Sequence, residues 1–174
     1  MKKSIVRNSF IQRFVQSVLL LAMIFSFIAN ADVQLKFIDG KKFTDYEITG
    51  QSRSKSLESI ERDLKKLFVK LSTGYIDEKQ ILEIDVTNID LPGIFHFSYG
   101  PQGQDMRVIE SNTRFKLYFN YLVKGSDGEI VKKGEYKIKE FSDSSSSFRL
   151  NKNRGTVGYY EKPLEKWFKQ TFAE

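Results

Sequence analysis

The chain has 174 residues, a formal net charge of +6, 40% hydrophobic and 29% charged residues, one histidine and no cysteine. Without cysteine there are no disulfides, thiol nucleophiles or thiolate zinc sites, and one histidine rules out an HExxH helix or a multi-histidine metal cage. Four of the 28 Lys/Arg and none of the 22 Asp/Glu lie in residues 1–31, so residues 32–174 carry only +2, which argues against nucleic acid as a partner because that needs a clustered basic footprint.

The N-terminus reads as a secretory signal. Lys2, Lys3, Arg7 and Arg13 form a basic leader, "FVQSVLLLAMIFSFI" (14–28) is an apolar core, and "ANA" (29–31) places small residues where a signal peptidase reads. Cleavage is expected between Ala31 and Asp32. The apolar run is shorter than the roughly 20 residues of a spanning helix. The protein is therefore expected to be exported, periplasmic or secreted, with membrane contact only through the leader before cleavage. Residues 32–174 are expected to form a single domain, large enough to bury about two thirds of its unfolded surface.

"VQLKFID" (33–39) alternates Val33, Leu35 and Phe37 against Gln34 and Lys36, the pattern of a half-buried strand. A polar loop is expected over 40–56. Leu57, Ile60, Leu64, Leu67, Phe68 and Leu71 then fall on one face at spacings of three and four, which predicts a helix over 56–72. Ser54 or Ser56 can cap its start, and Gly74 can take a left-handed stop. Strands are predicted over 81–89, 104–111, 114–124 and 129–141. In the first of these, Leu82, Ile84 and Val86 oppose Glu83, Asp85 and Thr87. Strict alternation then separates Asp85 from Asn88 and Asp90. In the last, Ile130, Tyr136 and Ile138 share the apolar side. "GSDG" (125–128) predicts a hairpin turn. "SDSSSS" (142–147) is a polar loop, and a second amphipathic helix is predicted over 163–172, with Leu164, Trp167, Phe168 and Phe172 on its apolar face. These elements predict an α+β fold: a two-layer domain with a mostly antiparallel sheet of about five strands and two amphipathic helices on one face.

"GKKFTDYE", "LEIDVTNIDLPG", "GPQGQDMRVIES", "GEIVKKGEYKIKEF" and "YYEKPLEKWF" follow one another in an order and spacing that resemble the bacterial family DUF3016. The resemblance implies an exported protein of Gram-negative bacteria without an assigned activity. The positions it matches are Phe43, Thr44 and Asp45; Ile89, Asp90, Leu91 and Gly93; Asp105 and Arg107; and Tyr160, Glu161 and Trp167. The chain departs from the family pattern where Asn88 replaces an acid, Pro92 a small residue and Glu140 an Asp.

No catalytic, metal or cofactor site is expected. Asp85, Asn88 and Asp90 lack the spacing and ligand number of a calcium loop. Asp90 is expected to accept from backbone amides in its turn. His96 has no nucleophile elbow to serve. Asp105 and Arg107, two apart on a strand, share a face and are expected as an exposed surface pair worth about 0–1 kcal/mol; the sharper alternative is that Arg107 binds a carboxylate or phosphate of a partner. Tyr118 and Leu122, on the polar side of their strand with Lys116 and Asn120, are expected either to form a binding patch or to be covered by a loop. "GPQGQ" lacks the lysine of a phosphate loop. The favoured expectation is an exported, non-catalytic binding or accessory module whose partner is an envelope protein or small ligand. The alternatives are a hydrolase using Asp45, Asp90 and Asp105, and an apolar-ligand or lipid binder with a cavity between sheet and helices.

Overall fold

The computed structural model describes residues 32–110, 112–142 and 156–173. The leader with Ala31, and most of the polar loop after Ser142, lie outside the described residues. Asp32, on the other side of the expected cleavage point, opens the first strand.

The elements run β1 (Asp32–Phe37), α1 (Arg53–Ser72), β2 (Ile81–Asp90), β3 (Ile94–His96), β4 (Met106–Val108), β5 (Arg114–Lys124), β6 (Ile130–Phe141) and α2 (Glu161–Phe172). Short 3-10 turns at Gly40–Lys42 and Thr156–Tyr160 precede the two helices. The main sheet has four strands in the order β1-β2-β5-β6. β1 and β2 are parallel, joined through α1, and the other pairs are antiparallel. The predicted strand over 104–111 does not join this sheet. Its centre, β4, pairs with β3 in a separate hairpin, so the main sheet has four strands rather than about five.

Alternation dictates which side of the sheet is dry. Leu82, Ile84, Phe115, Leu117, Phe119, Val123 and Ile138 are buried and share one face, where both helices lie. The Trp167 ring of α2 sits 4.9 Å from Phe119 of β5 and 6.0 Å from Phe68 of α1, so one side chain locks three elements. Burial of the Ile60, Leu64, Leu67 and Phe68 stripe of α1 contributes roughly 1.5–3 kcal/mol per side chain before entropy is counted. Lys132, at the inner side of β6, donates to the Thr171 carbonyl at the end of α2 and lies over the Phe172 ring, where a cation complements the helix dipole.

Both helices end where expected, at Ser72 and Phe172, but start earlier, α1 by three residues and α2 by two. Ser52 caps α1, its side chain accepting from the Lys55 amide at 3.4 Å. Ser56 is instead buried, and its hydroxyl oxygen accepts from the Ile48 amide at 3.0 Å, pinning the preceding loop. Pro163 sits inside the first turn of α2, where its missing N–H leaves no helical bond unmade. Gly74 takes the left-handed conformation as expected, at φ 88°, and the turn at Gly125–Gly128 forms with Gly128 at φ 84°.

Two β-bulges overturn face assignments. Val86 pairs with Phe119 but Asn88 pairs with Tyr118, leaving Thr87 as the extra residue. The extra residue shifts alternation by one. Ile89 therefore turns into the core beyond Val86, and Asp85, Asn88 and Asp90 all lie on the solvent face rather than being split by the pleat. The second bulge lies between the Val123–Lys132 and Lys124–Ile130 pairs. It moves Ile130 from the expected core side to the open side, where it is 54% exposed.

Candidate functional site

The motifs of the sequence meet at one end of the sheet. Beyond β1 the chain turns through Gly40–Lys42 and comes back to the edge of β2. There the Asp45 amide donates to the Ile89 carbonyl at 3.1 Å, and the Leu91 amide donates to the Asp45 carbonyl at 2.9 Å. The expected loop thus continues the sheet edge for one bridge. Asn88, on the bulged strand, fastens it. Its Oδ1 accepts from the Thr44 amide at 3.0 Å and faces the Thr44 hydroxyl at 3.1 Å. Phe43 is buried between Phe37 and Tyr46, with ring centroids 5.2 and 6.3 Å away.

Arg107 of β4 is the hub. Its guanidinium grips Asp45 with both arms, at 3.0 and 2.5 Å, and donates to the Glu47 carbonyl at 2.9 Å. It also reaches the carbonyls of Pro92 and Gly93 at 3.4 and 3.3 Å. Phe95 lies under it, 5.8 Å from the ring centroid. The side chain is only 10% exposed. The carboxylate that suits its fork is thus internal, and both expectations for Arg107, an exposed pair with Asp105 and a partner's anion, are corrected: the side chain is nearly buried and its donors are engaged by Asp45 and backbone carbonyls. Asp105 shares no bond with it, and accepts from the Ser98 amide at 3.0 Å in the loop joining β3 to β4.

Asp90 is likewise engaged differently from expectation. Its carboxylate meets Lys116 Nζ at 2.5 Å, across the β2–β5 pairing, rather than the amides of its own turn. The hydroxyl of Tyr160, fully buried, faces the backbone carbonyls of Asp90 and Lys116 at 3.2 and 3.1 Å. Burial, helped by the nearby Asp90 charge, pushes the Tyr160 hydroxyl well above the ordinary tyrosine range. Gly93 has φ 89°, and a Cβ there would lie 2.3 Å from the Val108 carbonyl oxygen. Only glycine lets the turn after β2 approach β4 so closely.

Phe43, Thr44, Asp45, Asp90, Leu91, Gly93, Arg107 and Tyr160 are thus brought together. Glu161 and Trp167 are not. Glu161 pairs with Lys70 of α1 at 2.6 Å, and Trp167 is core. Asp45 and Asp90 are neighbours, but each has its own cation, and Asp105 is committed to Ser98. The three carboxylates of the hydrolase alternative therefore hold three separate structural positions. Between sheet and helices the space is filled by aromatic rings in contact, Trp167 with Phe119 at 4.9 Å and with Phe168 at 4.6 Å.

Beside the hub lies a cleft of about 210 Å³, lined by Ile48, Leu91, Pro92, Ile109 and Tyr159 with Arg107 and Thr49 among its polar members. It is smaller than the roughly 300 Å³ at which drug-sized ligand pockets begin, and fits one ring or branched side chain. The β3–β4 hairpin rises from its rim. This hairpin carries four exposed apolar side chains on or next to it: Ile94 at 62%, Phe97 at 71%, Tyr99 at 63% and Ile109 at 36%. His96 stacks on Tyr99 at 4.7 Å. Sequence reasoning missed the cleft, because Ile48, Ile109 and Tyr159 come from three distant segments. The run "IFHFSY" was the local signal for the hairpin, since Phe95, Phe97 and Tyr99 alternate with His96 and Ser98. Among the described residues no helix is long and apolar enough to cross a membrane, and no group of three or more His, Cys, Asp or Glu residues is placed to hold a metal. A family model described as a protein of unknown function (DUF3016) matches residues 31–170, agreeing with the ordered motifs. No curated protein matches the chain.

Proposed function

We propose that this chain, which belongs to the DUF3016 family of proteins of unknown function, is a non-catalytic binding or accessory module of the cell envelope, exported through residues 1–31 and freed by cleavage after Ala31. It engages a protein partner through the cleft and the hairpin that Arg107 holds beside it. The observation that carries this reading is the exposure of Phe97 and Tyr99, at 71% and 63%, on a hairpin whose base is anchored by a buried, bidentate ion pair. Large apolar side chains grouped on a soluble surface mark interaction sites, and a rigid base lowers the entropy cost of presenting them. The leader and the family resemblance support the envelope location.

A photoreactive residue placed at Phe97 in cells tests this. It is expected to give a discrete crosslinked partner that the same residue at Lys65, exposed on α1, does not give. Arg107→Met is expected to weaken that adduct. Equal labelling from both positions, or none from position 97, defeats the proposal.

A further inference from the structure

Helices cover one face of the sheet; among the described residues no element covers the other. Its charges are laid out unevenly. Every outward acid of β2 is matched by a lysine: Glu83 by Lys124, Asp85 by Lys36 and Asp90 by Lys116. The edge strand β6 is different. Its outward positions read Ile130, Lys133, Glu135, Lys137, Lys139 and Phe141. Glu135 pairs with Lys137 at 2.8 Å. Among the described residues Lys133 and Lys139 have no carboxylate within ion-pairing distance. Lys139 lies directly across from Lys116, and its Nζ hangs 5.8 Å over the Tyr118 ring. Arg114, across from Phe141, lies 5.0 Å over that ring.

Like charges directly opposite on a sheet oppose its stability. Asp90 offsets Lys116 in the pair of Lys116 and Lys139, so Lys139 and Lys133 remain as the surplus charges of the strand. Lysine on an edge strand also protects against strand-to-strand aggregation. That role does not account for the exposed apolar residues at both ends of the same strand: Ile130 at 54%, Val131 at 58% and Phe141 at 53%. Surplus cations flanked by exposed apolar side chains are the composition that lies on an anionic lipid surface, with lysines at the headgroups and apolar side chains at the acyl boundary. A nucleic-acid platform would instead stack successive bases on a row of exposed aromatics; on this stripe Phe141 is the exposed aromatic at one end, already covered by Arg114, and Ile130 and Val131 at the other end are aliphatic. We infer that the outward face of β6, with Arg114 of β5, docks on an anionic membrane surface. β6 is the edge strand opposite β1, and this inference stands apart from the partner reading above.

The absence of cysteine makes a single labelled site unambiguous. Asn120→Cys, on the open face, and Lys65→Cys, on α1, are labelled with an environment-sensitive fluorophore in the full chain. Each is titrated with vesicles of phosphatidylcholine alone and of phosphatidylcholine mixed with phosphatidylglycerol. The label at position 120 is expected to shift to shorter wavelength with the anionic vesicles only, while position 65, on the helix-covered side, is expected to stay unchanged. Replacing Lys133, Lys137 and Lys139 together by Gln is expected to weaken the position-120 response on the order of 100-fold. If that variant does not fold by circular dichroism, Glu135→Lys must tighten binding. The inference is overturned by equal shifts at both positions or with both vesicles, by no shift, or by unchanged affinity in these variants. A larger shift at position 120 with a DNA oligonucleotide than with vesicles also overturns it, in favour of nucleic acid.

Discussion

Arg107 and Asp45 lie 62 residues apart in the chain and meet as a two-armed ion pair at 3.0 and 2.5 Å. That pair joins the β3–β4 hairpin to the sheet edge, and it sets the first prediction. Both side chains are largely out of water, 10% and 21% exposed. Removing one partner leaves a buried charge unmatched, which costs about 3–5 kcal/mol. Arg107→Ala is expected to lose that much in urea unfolding. Arg107→Lys is expected to recover little, because an ammonium cannot span both carboxylate oxygens and the Glu47 carbonyl together. Equal stability of Arg107→Lys and the parent would show that charge alone, and not the fork, holds the hairpin.

Asn88 tests the clamp on the returning edge. Asn88→Ala removes the acceptor for the Thr44 amide and is expected to cost about 1–2 kcal/mol. Asn88→Asp restores the acid of the family pattern and keeps the acceptor, so it is expected to stay within about 1 kcal/mol of the parent. Thermal unfolding of the two variants side by side decides this, and similar losses in both would refute the clamp.

Gly93 and Gly74 have nearly the same backbone, at φ 89° and φ 88°. An added Cβ at Gly74 meets nothing within 4 Å, whereas at Gly93 it meets the Val108 carbonyl oxygen at 2.3 Å. Gly74→Ala is expected to cost about 1–2 kcal/mol, the left-handed penalty alone. Gly93→Ala should exceed it and open the hairpin to limited proteolysis between residues 94 and 108. Equal losses at the two sites would mean that the close approach is not a constraint.

Tyr160 supplies a pH dependence. Its folded pKa is raised above the ordinary value of 10.0, chiefly by burial. A raised folded pKa means that its contribution is complete below the unfolded value and is lost as pH rises from there towards the folded one. Stability should therefore fall above about pH 10, and Tyr160→Phe should flatten part of that fall while losing the bonds to the Asp90 and Lys116 carbonyls at neutral pH. Parallel alkaline profiles for parent and variant would exclude Tyr160 as a source.

Local periodicity was enough to place both helices, their buried stripes, most strands and the Gly125–Gly128 turn, because those patterns depend on neighbours a few residues away. The ordered motifs were enough to identify the family. Other features were decided only by the tertiary structure. Thr87 is an extra residue because the β2–β5 register shifts by one across it, and no pattern within β2 marks that shift. That bulge puts Asp85 on the same face as Asn88 and Asp90, and the bulge beside Val131 turns Ile130 outward. The partner of Arg107 was equally illegible. Sequence offered Asp105, two residues away, but a guanidinium fork is satisfied by whichever carboxylate and carbonyls the fold delivers, and the chain delivers Asp45 by bending back to the end of β2.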